Sequence, residues 1–219
     1  MKKLAYLALG LVAIRVASAQ TQINIDLEPS NTTTPTSGYV SYIGAPINQT
    51  SDPAAQAVGS GVTLDFSTVG TWSNSTPAQP LTGDGFFVNA GTSPASFVLS
   101  GLAPGSTVTL YGIQGWNTGS GGFVSFGTGT LVDLNLSNGS PGTTPTLADF
   151  TLVGSATVPA GGTLSGSLFN SNGVITRGEG QIGGLIIQIS AVPEPSSIAL
   201  LFCGGIVGAG ALWLRRRTA

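Results

Sequence analysis

The chain has 219 residues, 41% of them hydrophobic and only 7% charged, with no histidine, one cysteine and a formal charge of −2 at pH 7. Without histidine there is no Ser-His or Cys-His catalytic pair and no imidazole metal site, and a single thiol cannot close an internal disulfide. Six of the seven basic residues lie in the first 15 or the last 5 positions, which leaves too few elsewhere to neutralise phosphates and excludes nucleic acid as a partner.

In chain order, residues 1–19 read as a secretory signal peptide. Lys2 and Lys3 precede an apolar run from Leu4 to Val16, and the small residues Ala17, Ser18 and Ala19 form a cleavage pattern that ends at Ala19. Arg15 inside the apolar run departs from the usual pattern. The reading makes the Sec translocon and signal peptidase partners in export. Residues 20–191 then form the exported domain, where eight acids face the single base Arg177, a formal charge of −7. Acidic matrices or divalent cations are the company expected for such a composition.

About 170 residues suffice for one sizeable core. Glycine, serine, threonine and asparagine replace charge, yet β-branched and aromatic residues recur in alternating blocks, which argues for a folded all-β domain over disorder. The predicted strands begin with QINIDL (22–27) and GYVSYI (38–43). In GVTLDF (61–66), Val62, Leu64 and Phe66 share one face against Thr63 and Asp65. GFFVNA (85–90), ASFVLS (95–100) and STVTLYGI (106–113) follow, and the GLAPG between the last two predicts the clearest hairpin of the chain. Further strands are expected at GFVSFG (122–127), TLVDLNL (130–136), ADFTLVG (148–154), GTLSGSLF (162–169) and GGLIIQIS (183–190). This spacing is that of an antiparallel sandwich or barrel, and no stretch of the domain has a helical period.

GEGQIG (178–183) formally matches the dinucleotide fingerprint, but a β run follows it where a helix is required, so it reads as a turn. The carboxylates Asp26, Glu28, Asp52, Asp65, Asp84, Asp133 and Asp149 have no spacing that pairs any two for glycoside hydrolysis. No catalytic residue and no cofactor is therefore assigned. Calcium on carboxylates and loop carbonyls is a secondary reading, but without an EF-hand run no metal ligand is named. Trp116 stands in IQGWNTGSGG directly after a strong strand, beside the amide of Asn117, and Trp72 stands in GTWSNST. An indole face covers the apolar side of a pyranose while neighbouring amides meet its hydroxyls, so these three are the candidate glycan-binding residues. Against that stands the reading that either tryptophan plugs an end of the core.

Residues 192–219 combine a triplet at Pro193, Glu194 and Pro195, an apolar stretch, and the basic cluster Arg215, Arg216 and Arg217. The prolines keep the triplet extended, so a helix starts only after it. Residues 197–214 are the expected transmembrane helix; its unbroken apolar run, 198–214, spans roughly 26 Å, the short end of what crosses a membrane. The arginines hold its C-terminal end in the cytoplasm and put the domain outside. This pattern closely resembles the PEP-CTERM sorting signal of Gram-negative bacteria. The resemblance implies presentation of the triplet to exosortase, a membrane-embedded cysteine protease, followed by release from the inner membrane toward the outer surface and the exopolysaccharide matrix.

The order of INID near the start, GAP at 44–46, Trp72-Ser73-Asn74, GLAPGSTVTLY, the block from Asp149 to Leu168 and a terminal GLIIQI also resembles a group of exported PEP-CTERM proteins from planctomycete and verrucomicrobial genomes. That resemblance implies a jelly-roll, galactose-binding-like β-sandwich and no particular activity. The expectation is thus an exported surface or matrix-associated protein, not an enzyme. A glycan-binding module for exopolysaccharide is the alternative, and a glycoside-active enzyme the distant third.

Overall fold

A computed structural model describes residues 20–30, 36–73, 80–115, 120–136 and 145–191. Ala17, Ala19, the Pro193–Pro195 triplet, the span at 197–214, Arg215 to Arg217, Trp116 and Asn117 lie outside the described residues. Among the described residues no helix is long and apolar enough to cross a membrane.

Alternation of apolar and polar side chains produces strands wherever it is regular. They are β1 (Gln20–Glu28), β2 (Val40–Ile43), β3 (Thr50–Ser51), β4 (Gln56–Gly59), β5 (Val62–Phe66), β6 (Val69–Ser73), β7 (Asp84–Asn89) and β8 (Ala95–Ser100). They continue with β9 (Thr107–Ile113), β10 (Phe123–Phe126), β11 (Val132–Asp133), β12 (Thr151–Thr157), β13 (Leu164–Phe169), β14 (Glu179–Ile182) and β15 (Gly184–Ser190). One helical turn, α1 (Pro80–Gly83), precedes β7, and short 3-10 turns cover Leu134–Leu136 and Leu147–Asp149. These strands and the segments between them form one compact unit, Gln20–Val192.

The strands assemble into three sheets: a five-stranded one ordered β12-β9-β15-β1-β2, a six-stranded one ordered β11-β10-β13-β8-β5-β4, and a four-stranded one ordered β14-β7-β6-β3. The architecture is all-β and sandwich-like. The expected single antiparallel sandwich is corrected in two respects, since there are three sheets and β1 pairs with β2 in parallel. Residues of all three sheets share one core, including Ile25 and Leu185 from the first, Leu64 and Leu99 from the second, and Val69 and Ile182 from the third. The sheets meet at four aromatic rings. Phe66 lies 5.7 Å from Tyr42, 5.3 Å from Phe86 and 5.3 Å from Phe97, centroid to centroid. Each such pair adds about 0.5–1.5 kcal/mol to the burial of its rings. The Tyr42 hydroxyl, carried into this core, accepts a hydrogen bond from the Phe66 N–H at 3.1 Å.

The expected hairpin at GLAPG is not formed. β8 pairs with β13 and β5, whereas β9 pairs with β12 and β15 in another sheet. The reason is Leu102, an apolar residue in mid-loop that is buried in the core and draws the chain across from one sheet to the other. A second crossing, from β12 to β13, runs beside it. Leu102 N–H donates to the Gly162 carbonyl at 3.1 Å and Gly105 N–H to the Val158 carbonyl at 2.9 Å, so the two arcs satisfy each other's backbone.

GEGQIG is not a turn either: Glu179–Ile182 is β14, paired antiparallel with Phe86–Asn89. Gly180 fits there because its missing side chain admits the Phe169 carbonyl. TLVDLNL shrinks to the two residues of β11 followed by a 3-10 turn, because the Asp133 carboxylate accepts the Asn135 N–H and bends the chain. The strands β3, β4 and β6, in stretches rich in serine, threonine and glycine, lay outside the prediction.

Candidate functional site

Register and pleat decide which side chains of the four-stranded sheet leave the core. Phe86 pairs with Thr71 and Ile182 on the inner side, so Phe87, Trp72, Gly70, Asn89, Glu179 and Gln181 share the outer face. Across that face Gln181 stands opposite Phe87, Phe87 opposite Gly70, and Gly70 opposite Thr50, while Trp72 stands opposite Gly85. Both outward aromatics therefore have a glycine as cross-strand neighbour.

Trp72 is half-buried. Its indole lies against Gly115, where an added Cβ would fall 3.0 Å from a ring carbon and 2.7 Å from the Gln181 Oε1. The Trp72 Nε1 and the Gln181 Oε1 are both buried without a hydrogen-bond partner, and Gln181 Nε2 donates to Glu179 at 2.9 Å. The structure thus brings Trp72 to the backbone that leads directly into Trp116 and Asn117, although the three are remote in sequence.

Residues 120–122 are fixed in place with the help of Arg177, the single base between residues 20 and 191. Gln181 N–H donates to the Ser120 carbonyl and Gly122 N–H to the Gln181 carbonyl, both at 2.7 Å, which lays residues 120–122 along β14. Gly121 N–H donates to Asn135 Oδ1 at 2.7 Å, and the Arg177 guanidinium donates to the Gly121 carbonyl. Arg177 also makes a two-pronged contact with Asp133 at 2.9 and 2.7 Å and stacks 4.3 Å from the centre of the Phe123 ring. Burial pushes the Asp133 carboxyl up, but the Arg177 hydrogen bond, the Asn135 N–H and the Arg177 charge together hold it below its ordinary value. With its side chain 9% exposed, Arg177 is a structural clasp. Its isolation among eight acids was the signal in the sequence.

A second cluster of ionisable groups lies on the outer face of the five-stranded sheet. Asp26 and Glu28 are two residues apart on β1, point away from the main core, and are 0% and 3% exposed. They share that face with Ile113 and Ile186, which cluster with Leu81 and Phe150, and Tyr39 stacks on Phe150 at 6.4 Å. Asp26 Oδ2 accepts the Thr36 N–H at 2.9 Å. Burial raises the Asp26 carboxyl, and burial reinforced by the charge of Asp26 raises Glu28 to about 7. Tyr39 is pushed up to about 12 by burial, then by the charges of Asp26 and Asp149. These carboxyls have the proximity of an acid pair but are covered, so no substrate reaches them in this arrangement. Among the described residues no group of three or more His, Cys, Asp or Glu gathers as a metal site.

Compared with protein-family models, with curated proteins and with solved structures, the chain shows no significant match.

Proposed function

We propose that this chain is an exported, surface or matrix-associated protein whose last 28 residues, 192–219, are a sorting signal read by an exosortase. The observation that supports the reading most is the extent of the compact unit. It runs from Gln20 to Val192, beginning one residue after the expected signal-peptidase cut at Ala19 and ending one residue before Pro193. The Sec translocon and signal peptidase handle one end, exosortase the other, and the mature protein leaves the inner membrane for the outer surface or matrix. The finer description of the domain as a jelly roll of the galactose-binding-like kind belongs to the same proposal, and rests on facing sheets joined by arcs that cross between them.

The experiment replaces Pro193, Glu194 and Pro195 by alanine in a host with exosortase. The variant is expected to accumulate at full length in the inner membrane while the parent is shortened and released. Equal release of both sinks the sorting assignment. A second reading, a carbohydrate-binding module for exopolysaccharide, is favoured by Trp72 lying against the residue before Trp116 and Asn117.

A further inference from the structure

We propose that the outer face of the four-stranded sheet carries a groove for a neutral sugar ring, with Phe87 as its platform. The inference deepens the carbohydrate-binding reading and rests on it, but it places the ligand beside Phe87 and not on either tryptophan.

The groove has a volume of about 290 Å³, close to the lower bound of about 300 Å³ for sites that take small molecules. Its floor is set by Gly70 and Phe87, which face each other across β6 and β7. An added Cβ on Gly70 would fall 2.6 and 2.7 Å from two ring carbons of Phe87, so the ring lies flat over the glycine. Gly70 is buried beneath it and Phe87 stays half-exposed in the groove. A flat aromatic face in a cleft is the surface on which the apolar C–H side of a pyranose packs.

The rim supplies the complementary polarity. Thr50, Ser67, Thr68, Asn89, Thr92 and Ser93 all line the groove. Two rim hydroxyls are already oriented. The Ser67 Oγ accepts the Ser96 N–H at 2.8 Å, which leaves its O–H to donate outward. The Thr92 hydroxyl donates to the Asn89 carbonyl at 2.7 Å, which leaves its lone pairs to accept. Sugar hydroxyls do both, whereas an apolar ligand would strand these groups. Among the described residues no charged side chain lines the groove, and the domain's formal −7 repels polyanions, so the ligand class is a neutral hexose unit.

The test uses the full chain in a detergent without a sugar headgroup, with methyl β-glucoside, methyl α-mannoside and methyl β-galactoside as probes, read by saturation-transfer NMR. At least one probe is expected to bind, with its ring C–H protons saturated most strongly. Phe87→Ala should weaken that binding about ten-fold or more. Ser93→Trp, which fills the groove from an exposed rim position, should do the same without touching the core. Binding that survives both variants but is lost in Trp116→Ala overturns the groove and leaves the carbohydrate reading standing at the loop. Failure of all three probes to bind overturns the groove as well.

Discussion

The outer faces of the five-stranded and four-stranded sheets are built from the same materials, aromatics, carboxyls and small residues, and are used in opposite ways. On the five-stranded sheet Tyr39 stacks on Phe150 beside a face that buries Asp26 and Glu28. On the four-stranded sheet the aromatics lie over glycines, the strip beside β14 is covered by Gly115 and residues 120–122, and the strip around Phe87 stays open. The buried charge that anchors this covering is paired, Arg177 with Asp133. A covered face gains stability from burial and bears the cost of desolvating its acids, while an open face keeps an aromatic surface available for a ligand.

The largest expected effect is at the clasp. Arg177→Ala leaves Asp133 without its partner and loosens residues 120–122, and should cost about 3 kcal/mol, lowering the melting temperature by roughly 6–12 °C. Because the Asp133 carboxyl is held below its ordinary value, the parent's stability from this pair is present above about pH 4 and lost as pH falls through the folded-state value. The gap between parent and variant, followed by denaturant unfolding, should therefore narrow in acid. A constant gap would show that the pair does not carry the effect.

A smaller effect of opposite sign is expected on the covered face. Glu28 titrates near 7 in the folded chain against an ordinary 4.5, so the folded state holds a proton that the unfolded state releases between those values. Stability from this group is complete below about pH 4.5 and is lost as pH rises through 7. Glu28→Gln keeps the shape and removes the titration, and should flatten the unfolding free energy between pH 5 and 8. An unchanged slope would mean that Glu28 is not the titrating group.

Much of the fold was legible where side chains alternate without interruption. GVTLDF and ASFVLS became β5 and β8 because Val62, Leu64 and Phe66, and Ala95, Phe97 and Leu99, each form one buried stripe. Which strand pairs with which was not legible, since β1 finds β15 at the other end of the domain and the GLAPG arc is governed by the burial of Leu102. The groove depends on register. Phe87 is one more aromatic in GFFVNA until pairing sets it opposite Gly70, itself part of a strand that composition hides. Trp72 was visible as a candidate, but its contact with Gly115 follows from the fold alone.

The contrast between a face that stabilises and a face that binds is tested most directly by the melting temperature of Phe87→Ala in the full chain. Phe87 is half-buried over a glycine, so its loss should cost about 1 kcal/mol and 2–4 °C. A core phenylalanine truncated in the same way loses about 3–5 kcal/mol. A melting temperature within about 4 °C of the parent supports an open face kept for recognition. A fall beyond about 10 °C would make Phe87 part of the packing that holds the domain together and contradict the account.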